Sequence, residues 1–504
     1  MVLVVDFGSQ YTELLVRSIR TSKVFAEVIS CNNPNLIKEA SEYSAIVLSG
    51  SHHTAKDELH ENIFKQLMEL KKPMLCVCYG MQVMHKITGG EIDYGNCSEF
   101  GNAKIRIYKD HPIVDGIPVI FETWMSHNDS VIELGKGFVS VARTDVCHSV
   151  TVDDERKIYT VQFHPEVEHS RFGLRLIKNF LFLVCGLKEN WSIGDVVTKK
   201  IEYIKNKVKN EYVYLAISGG LDSSVVAQLL SKSKSKAKLI FVDTGLLEDS
   251  KFRPTINYFK NEFQNDLIVV RAKDIFLEKL KGITDPEEKR KIIGNLFLEI
   301  FKEEIKKHGN GKFLAQGTIH SDLIESGQKN QSQTIKTHHN TVSSLKETFE
   351  LVEPLADLFK DEVKNLGVQL GLPSFITNIK PFPGPGYSIR IIGEVTENKI
   401  EILKKVDRIL VSKLIEKNIY QAASQCFSVI MNSRTVGVIG DRRSYGYVVA
   451  IRAVNSKNMM TATPTLIPIE ILTELSNEIV NKVPEITRVV YDLTSKPPAT
   501  IEWE

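Results

Sequence analysis

YVYLAISGGLDSSVVA, residues 212–227, decides how the chain is read. An apolar β-type run, Tyr212 to Ile217, ends abruptly in Ser218-Gly219-Gly220-Leu221-Asp222-Ser223-Ser224, and a helix-patterned segment follows. Two adjacent glycines let the backbone approach a ligand closely. The serines and the first helical turn add a cluster of donors with no internal partner, which makes an anion site with phosphate as its natural occupant. A Walker A loop would need a lysine for the outer phosphates. This loop carries Asp222 instead, whose oxygens suit Mg²⁺. The bland alternative is a Gly-Gly turn before a capped helix.

The pattern SGGxDSS resembles the pyrophosphate loop of the ATP pyrophosphatase family. That resemblance implies cleavage of ATP between its α- and β-phosphates, with Ser218, Gly219, Gly220, Leu221, Asp222, Ser223 and Ser224 around the nucleotide and Asp222 holding Mg²⁺. No tightly bound organic cofactor is implied. Val242, at the end of a strand run, and Gly317, after another, join the expected ATP contacts, as in other doubly wound sheets. Asp322 fits either a second metal carboxylate or the cap of the next turn.

At 504 residues the chain exceeds one ordinary domain, and roughly 150 residues per domain predicts about three. Hydrophobic content of 42% and charged content of 25% are those of a globular protein in water. A net charge of +2 argues against bulk affinity for nucleic acid or membrane. The seven cysteines lack zinc-type or CxxC spacing, so reduced thiols in a cytoplasmic protein are expected. The opening MVLVV is too short for a signal peptide, and FLFLVCGL (180–187) is far short of a membrane span. SKSKSKAK (231–238) reads as a solvated helix end or loop.

Residues 1–190 alternate strand runs (2–6, 45–50, 74–78, 158–163) with amphipathic segments (9–20, 61–70), which predicts an α/β domain with a largely parallel sheet. From 191 to 379 the alternation resumes, with strands expected at 212–217, 238–245 and 267–272, so a second doubly wound sheet is expected. Lys380-Pro381-Phe382-Pro383-Gly384-Pro385-Gly386 then interrupts any helix or central strand. Residues 380–504 mix helix patterns (397–417, 469–482) with β runs (445–454, 488–493) and read as a smaller α+β domain. An uncovered sheet face there would be buried by homodimerisation.

In the first domain Cys78 follows an apolar strand and opens a turn into a helix, where a thiolate is favoured. His164 and Glu166, two apart in an extended run, lie on one face, so Glu166 can orient the imidazole that serves Cys78. Cys-His-Glu in this order, with CYGMQ and QFHPE, resembles the class I glutamine amidotransferases. That resemblance implies a thioester with glutamine, release of ammonia, and an oxyanion hole from the backbone N–H groups of Ser51 and Tyr79. The segment Ser49-Gly50-Ser51-His52 departs from the family's usual SGGP, and Cys76 replaces a glycine before the nucleophile. His52 and His53 read as exposed loop residues.

EKRKIIG (288–294), GTIxxDxIES (317–326), PFPGPG (381–386), VGVxGDRRSY (436–445) and SKPPATIEWE (495–504) together resemble the glutamine-hydrolysing GMP synthetase family. The resemblance covers essentially the whole chain. It implies ATP, XMP and glutamine as substrates, with XMP contacts at Arg290, Gln425, Asp441, Lys496, Thr500 and Glu502, and Arg390 in addition. The charged run 287–291 reads otherwise as a solvated helix face or a lid over the phosphates. Lys380 stands where the family commonly has histidine, with no role assigned. Other adenylating amidases, and a regulatory protein with an inactive glutaminase half, are the competing readings.

Overall fold

A computed structural model describes residues 1–309, 311–320, 322, 349–439, 441–456 and 461–504. The expected motif positions 323–326 and Gly440 lie outside the described residues. The chain divides into two compact units, Met1–Asp195 and the described residues from Val196 to Glu504.

The first unit holds one nine-stranded sheet. Its strands are β1 (Val2–Asp6), β2 (Ala26–Ser30), β3 (Ala45–Leu48), β4 (Met74–Val77), β5 (Glu91–Ile107), β6 (Ile120–Glu133), β7 (Val139–Arg143), β8 (His148–Asp153) and β9 (Ile158–Val161). Their order is β2-β1-β3-β4-β9-β8-β7-β5-β6. The five strands from β2 to β9 run parallel, and β1, β3, β4 and β9 are buried along their whole length, as strands covered on both faces must be. Residues 189–191 stay with this unit: the Phe25 N–H donates to Asn190 Oδ1 at 2.8 Å, and Arg20 stacks on Trp191 at 4.9 Å. The sequence placed the break at 190; the compact unit ends at Asp195.

The second unit holds two sheets. β10 (Val213–Ala216), β11 (Ala237–Asp243), β12 (Leu267–Arg271), β13 (Phe313–Ala315) and β14 (Glu350–Val352) form a fully parallel sheet in the order β12-β11-β10-β13-β14. Read as 3-2-1-4-5, this order reverses between β10 and β13, and the crevice at such a reversal is where doubly wound sheets bind ligands. β15 (Gln425–Ile439), β16 (Arg442–Asn455) and β17 (Thr463–Pro464) are antiparallel, with β18 (Ile486–Tyr491) parallel to β16. One hydrophobic core joins the two sheets: Tyr214, Ile240 and Leu314 belong to the same buried cluster as Leu403, Leu410 and Ile451. The Pro-rich stretch therefore divides two sheets without dividing their core. Gly386, at φ +65°, is fixed by that packing, because a Cβ there would sit 2.2 Å from the Leu246 carbonyl oxygen. The fold class is α/β, as the alternation of elements implies.

Two candidate active sites

In the first unit the nucleophile and its base stand at the C-terminal ends of adjacent strands. Cys78 follows β4 and His164 lies just beyond β9, which pairs with β4. Cys78 adopts φ 52°, ψ −105°, a left-handed conformation that lifts Sγ out of the sheet before the helix Tyr79–Ile87 begins. His164 interacts electrostatically with Cys78, and its Nδ1 meets Glu166 Oε1 at 2.7 Å. Burial opposes protonation of His164, but the Glu166 charge and the Cys78 contact outweigh it, so the imidazole is held well above its ordinary value. Gly50 admits His164, since a Cβ there would lie 3.2 Å from the ring.

Tyr79 is the first residue of its helix, where the backbone N–H has no intrahelical acceptor. The Ser51 hydroxyl donates to the Phe7 carbonyl at 2.7 Å, which fixes the Ser49–Ser51 segment beside β1. Sequence reasoning missed Gln162, whose Nε2 approaches Cys78 Sγ at 3.8 Å, and His60, whose Nδ1 contacts the Tyr79 hydroxyl at 2.9 Å. His52 is exposed but packs on Gly8, with Nδ1 3.3 Å from that carbonyl, and stacks on His53.

In the second unit the diglycine loop emerges from β10 at the point where the strand order reverses. Gly219 takes φ +80° and leaves no room for a Cβ, which would meet Phe252 at 2.7 Å. The loop is self-braced: Ser218 Oγ and Ser223 Oγ lie 3.0 Å apart, the Gly220 N–H donates to Ser218 Oγ at 3.2 Å, and Ser224 Oγ donates to the Gly220 carbonyl at 2.7 Å. Leu221 opens the helix Leu221–Lys232 and is buried, so it anchors the loop. Gly317 closes on the same turn from beyond β13, with a Cβ position 3.0 Å from Asp222 Cβ. Val242 is buried within β11. Asp322 Oδ2 accepts the Ile319 N–H at 3.1 Å, so this carboxylate braces the turn 319–322. Lys360, unnoticed in the sequence, donates to Asp222 Oδ1 at 2.7 Å and brings a cation to the loop.

Residues 494–504 are held by buried cations. Arg390, 1% exposed, grips Glu502 with two bonds of 3.0 and 2.7 Å and stacks over Phe427 at 4.0 Å. Burial opposes its charge, and the Glu502 carboxylate more than offsets this. Arg452, fully buried, donates to the Thr500 carbonyl at 2.9 Å and the Thr494 carbonyl at 2.6 Å. Lys289, also fully buried, pairs with Glu504 and donates to the Ile391 carbonyl at 2.8 Å, while Arg290 donates to the Glu504 backbone oxygen. The run 287–291 is thus neither a solvated face nor a lid at Lys289 and Arg290. Lys496 is tied through its backbone to Ala462, and Thr500 Oγ1 donates to the Glu502 carbonyl. Gln425 begins β15, two residues before the Phe427 on which Arg390 stacks.

Arg290, Arg390, Thr500 and Glu502 are therefore joined through the tail, and strand pairing sets Gln425, and Lys496 through Ala462, at the open end of the β15–β16 hairpin. Asp441 is not among them. It lies in the turn after β15, with Ile439 paired to Arg442, at the end opposite Gln425, and the length of β15, at about 3.3 Å per residue, separates the two. Lys380 has a structural place: it donates to the Tyr420 and Ala423 carbonyls and sits 4.1 Å over the Tyr420 ring.

Residues 3–184 match the class-I glutamine amidotransferase family, residues 212–374 the phosphoadenosine phosphosulfate reductase domain, and residues 412–503 the GMP synthase C terminal domain. Curated relatives match over the full length. "GMP synthase [glutamine-hydrolyzing]" of Thermotoga maritima is 47% identical over 510 residues, covering 100% of both chains. The proteins of the same name from Clostridium tetani and Spiroplasma kunkelii are each 43% identical, covering 100% of this chain and 99% of theirs. With the nucleophile, the phosphate loop and the braced tail each in place, the chain belongs to the glutamine-hydrolysing GMP synthase family.

Proposed function

We infer that the chain makes GMP from XMP, ATP, glutamine and water, releasing AMP, pyrophosphate and glutamate. Full-length kinship at 47% identity carries this reading, together with the two reaction centres in one chain.

In the glutaminase half, Cys78 Sγ attacks the amide carbon of glutamine. The N–H groups of Ser51 and Tyr79 are the donors assigned to the resulting oxyanion, and each such donor supplies on the order of 3 kcal/mol. The His164 imidazolium protonates the departing ammonia, and water then hydrolyses the thioester. Glu166 keeps that imidazolium charged by its own charge and contact. In the synthetase half, the purine C2 oxygen of XMP attacks the α-phosphorus, pyrophosphate leaves, and ammonia displaces AMP. The Ser218–Ser224 loop holds the outer phosphates with backbone and hydroxyl donors, and Lys360 adds positive charge. Asp222 is half-buried on the first helical turn beside the loop, a hard oxygen donor at the place where the phosphates are expected, so it fits Mg²⁺. Bound there with ATP, Mg²⁺ would neutralise charge on the leaving pyrophosphate.

Arg290, Gln425, Lys496 and Thr500 are the XMP contacts we retain. Glu502 acts with Arg390 as the brace that places the tail. Homodimerisation through the C-terminal sheet and a cytoplasmic location complete the proposal. Seven cysteines outside any disulfide suit a reducing compartment, and no helix of the described residues is long and apolar enough to cross a membrane.

The test is product analysis. With XMP, ATP and glutamine, GMP, AMP, pyrophosphate and glutamate should form in equal amounts, and omitting XMP should reduce pyrophosphate to background. ADP and orthophosphate as the nucleotide products would overturn the assignment.

A further inference from the structure

Away from both reaction centres, three potential ligands meet in the first unit. Glu99 of β5 and His127 of β6 face each other as a cross-strand pair. Cys147 enters from the turn between β7 and β8, which is closed by the Thr144 N–H donating to the Cys147 carbonyl and the Cys147 N–H donating to Thr144 Oγ1. Cys147 Sγ lies 3.0 Å from Glu99 Oε2, and His127 Nε2 lies 3.6 Å from the same oxygen. All three ligand atoms fall within 4.8 Å of one another, the one such group among the described residues. Zinc bonds of about 2.0–2.3 Å at tetrahedral angles place neighbouring ligand atoms about 3.3–3.6 Å apart, so small adjustments suffice.

His127 supplies an independent sign. Its side chain is 1% exposed, and Nε2 has no hydrogen-bond partner among the described residues. The Asp129 carbonyl, 3.1 Å from Nδ1, calls for a proton on that nitrogen. Nε2 is then the ring nitrogen left to bind, and it faces the Glu99 carboxylate 3.6 Å away. A metal-bound histidine commonly has this arrangement, its other ring nitrogen donating to a backbone carbonyl.

We propose that Glu99, His127 and Cys147 bind a divalent transition cation, with Zn²⁺ as the fitting ion. Thiolate, imidazole and carboxylate together suit Zn²⁺, whereas Mg²⁺ and Ca²⁺ take oxygen ligands. On binding, Cys147 gives its thiol proton to solvent and its sulfur bonds the metal, so thiolate and carboxylate balance the two positive charges. Water fills the fourth position. The ion would pin the β5–β6 hairpin to the β7–β8 turn. It would also steady β6 where Ser126, the residue before His127, presents its carbonyl 3.9 Å from Cys78 Sγ.

The experiment is titration of the chelator-treated full chain with Co²⁺, followed by Zn²⁺ competition. The parent should take up one Co²⁺ with a thiolate-to-metal charge-transfer band and the d–d absorption of tetrahedral cobalt, and Zn²⁺ should abolish both. Cys78→Ala should keep the band and Cys147→Ser should lose it. Glu99→Gln, which spares the thiol, should weaken binding by roughly tenfold or more. No thiolate band in the folded parent, a band that survives Cys147→Ser, or one lost with Cys78→Ala each overturns the proposal. Should Cys147→Ser fail to fold, the parent titration and Glu99→Gln still decide.

Discussion

Cys78 pays for its exposure to substrate with a backbone angle of φ 52°, and the turn tolerates it because the Cys78 N–H is held by the Val161 carbonyl at 2.7 Å. Replacing Cys78 with alanine removes the nucleophile and nothing the synthetase half needs. Glutamine-dependent GMP formation should fall by at least about 10³-fold while ammonia-dependent formation stays within twofold. Loss of both in a folded variant would contradict the division of labour. A second expectation concerns pH. Glu166 is the leading cause that raises His164, so Glu166→Gln should let its proton go at lower pH. The alkaline limb of kcat/KM for glutamine should then move toward acid, and an unmoved limb would remove Glu166 from this role. These three residues were legible because CYGMQ and QFHPE are contiguous and each carries its own geometry. Lys289 and Arg452 were not, because what makes them special is a partner at the far end of the sequence: Glu504 stands 215 positions from Lys289. Without that partner a lysine in EEKRK reads as a solvated charge.

At the scale of elements, the phosphate loop depends on a conformation and a clearance that coincide at Gly219. Gly219→Ala forces an L residue to φ +80° at roughly 1–2 kcal/mol and drives its Cβ into Phe252, 2.7 Å away, at roughly 1–3 kcal/mol more. The smaller sum, about 2 kcal/mol, already corresponds to about thirtyfold. Ammonia-dependent GMP formation should fall at least that far, and a rate within threefold of the parent would show that the loop does not depend on this turn. The parallel strands were readable because burial on both faces leaves unbroken apolar runs, such as VLVVD at 2–6. The 17-residue β5 escaped notice because EIDYGNCSEFGNAKIRI has almost no apolar face: only Ile92 and Ile105 are fully buried along it. Its pairing with β6, and not its own composition, makes it a strand. The helix 469–482 matched its expected limits because its apolar residues recur at helical spacing toward a single core.

For the whole molecule, the C-terminal sheet poses a problem of uncovered area. Leu403, Leu410, Leu475 and Ile479 of the helices Glu397–Glu416 and Ile469–Lys482 share a core with Val449 and Ile451 of β16. Elsewhere apolar side chains stand in solvent: Val438 is 74% exposed, Tyr445 65% and Val436 51%, clustered by the register Val436–Tyr445 near the hairpin end. A second copy of this chain, docked about a two-fold axis, would cover them. Under that symmetry each substitution occurs on both sides of the interface. Burying a valine stabilises by about 1.5–3 kcal/mol, so Val438→Asp should remove at least about 3 kcal/mol from association, more than a hundredfold in the dimer constant. Sedimentation velocity over a hundredfold concentration range should show the parent as a dimer and Val438→Asp shifting toward monomer. Glutaminase activity of the first unit is the internal control, since Val438 lies outside it. A parent that sediments as a monomer throughout, or a variant that dimerises as tightly as the parent, would place the interface elsewhere.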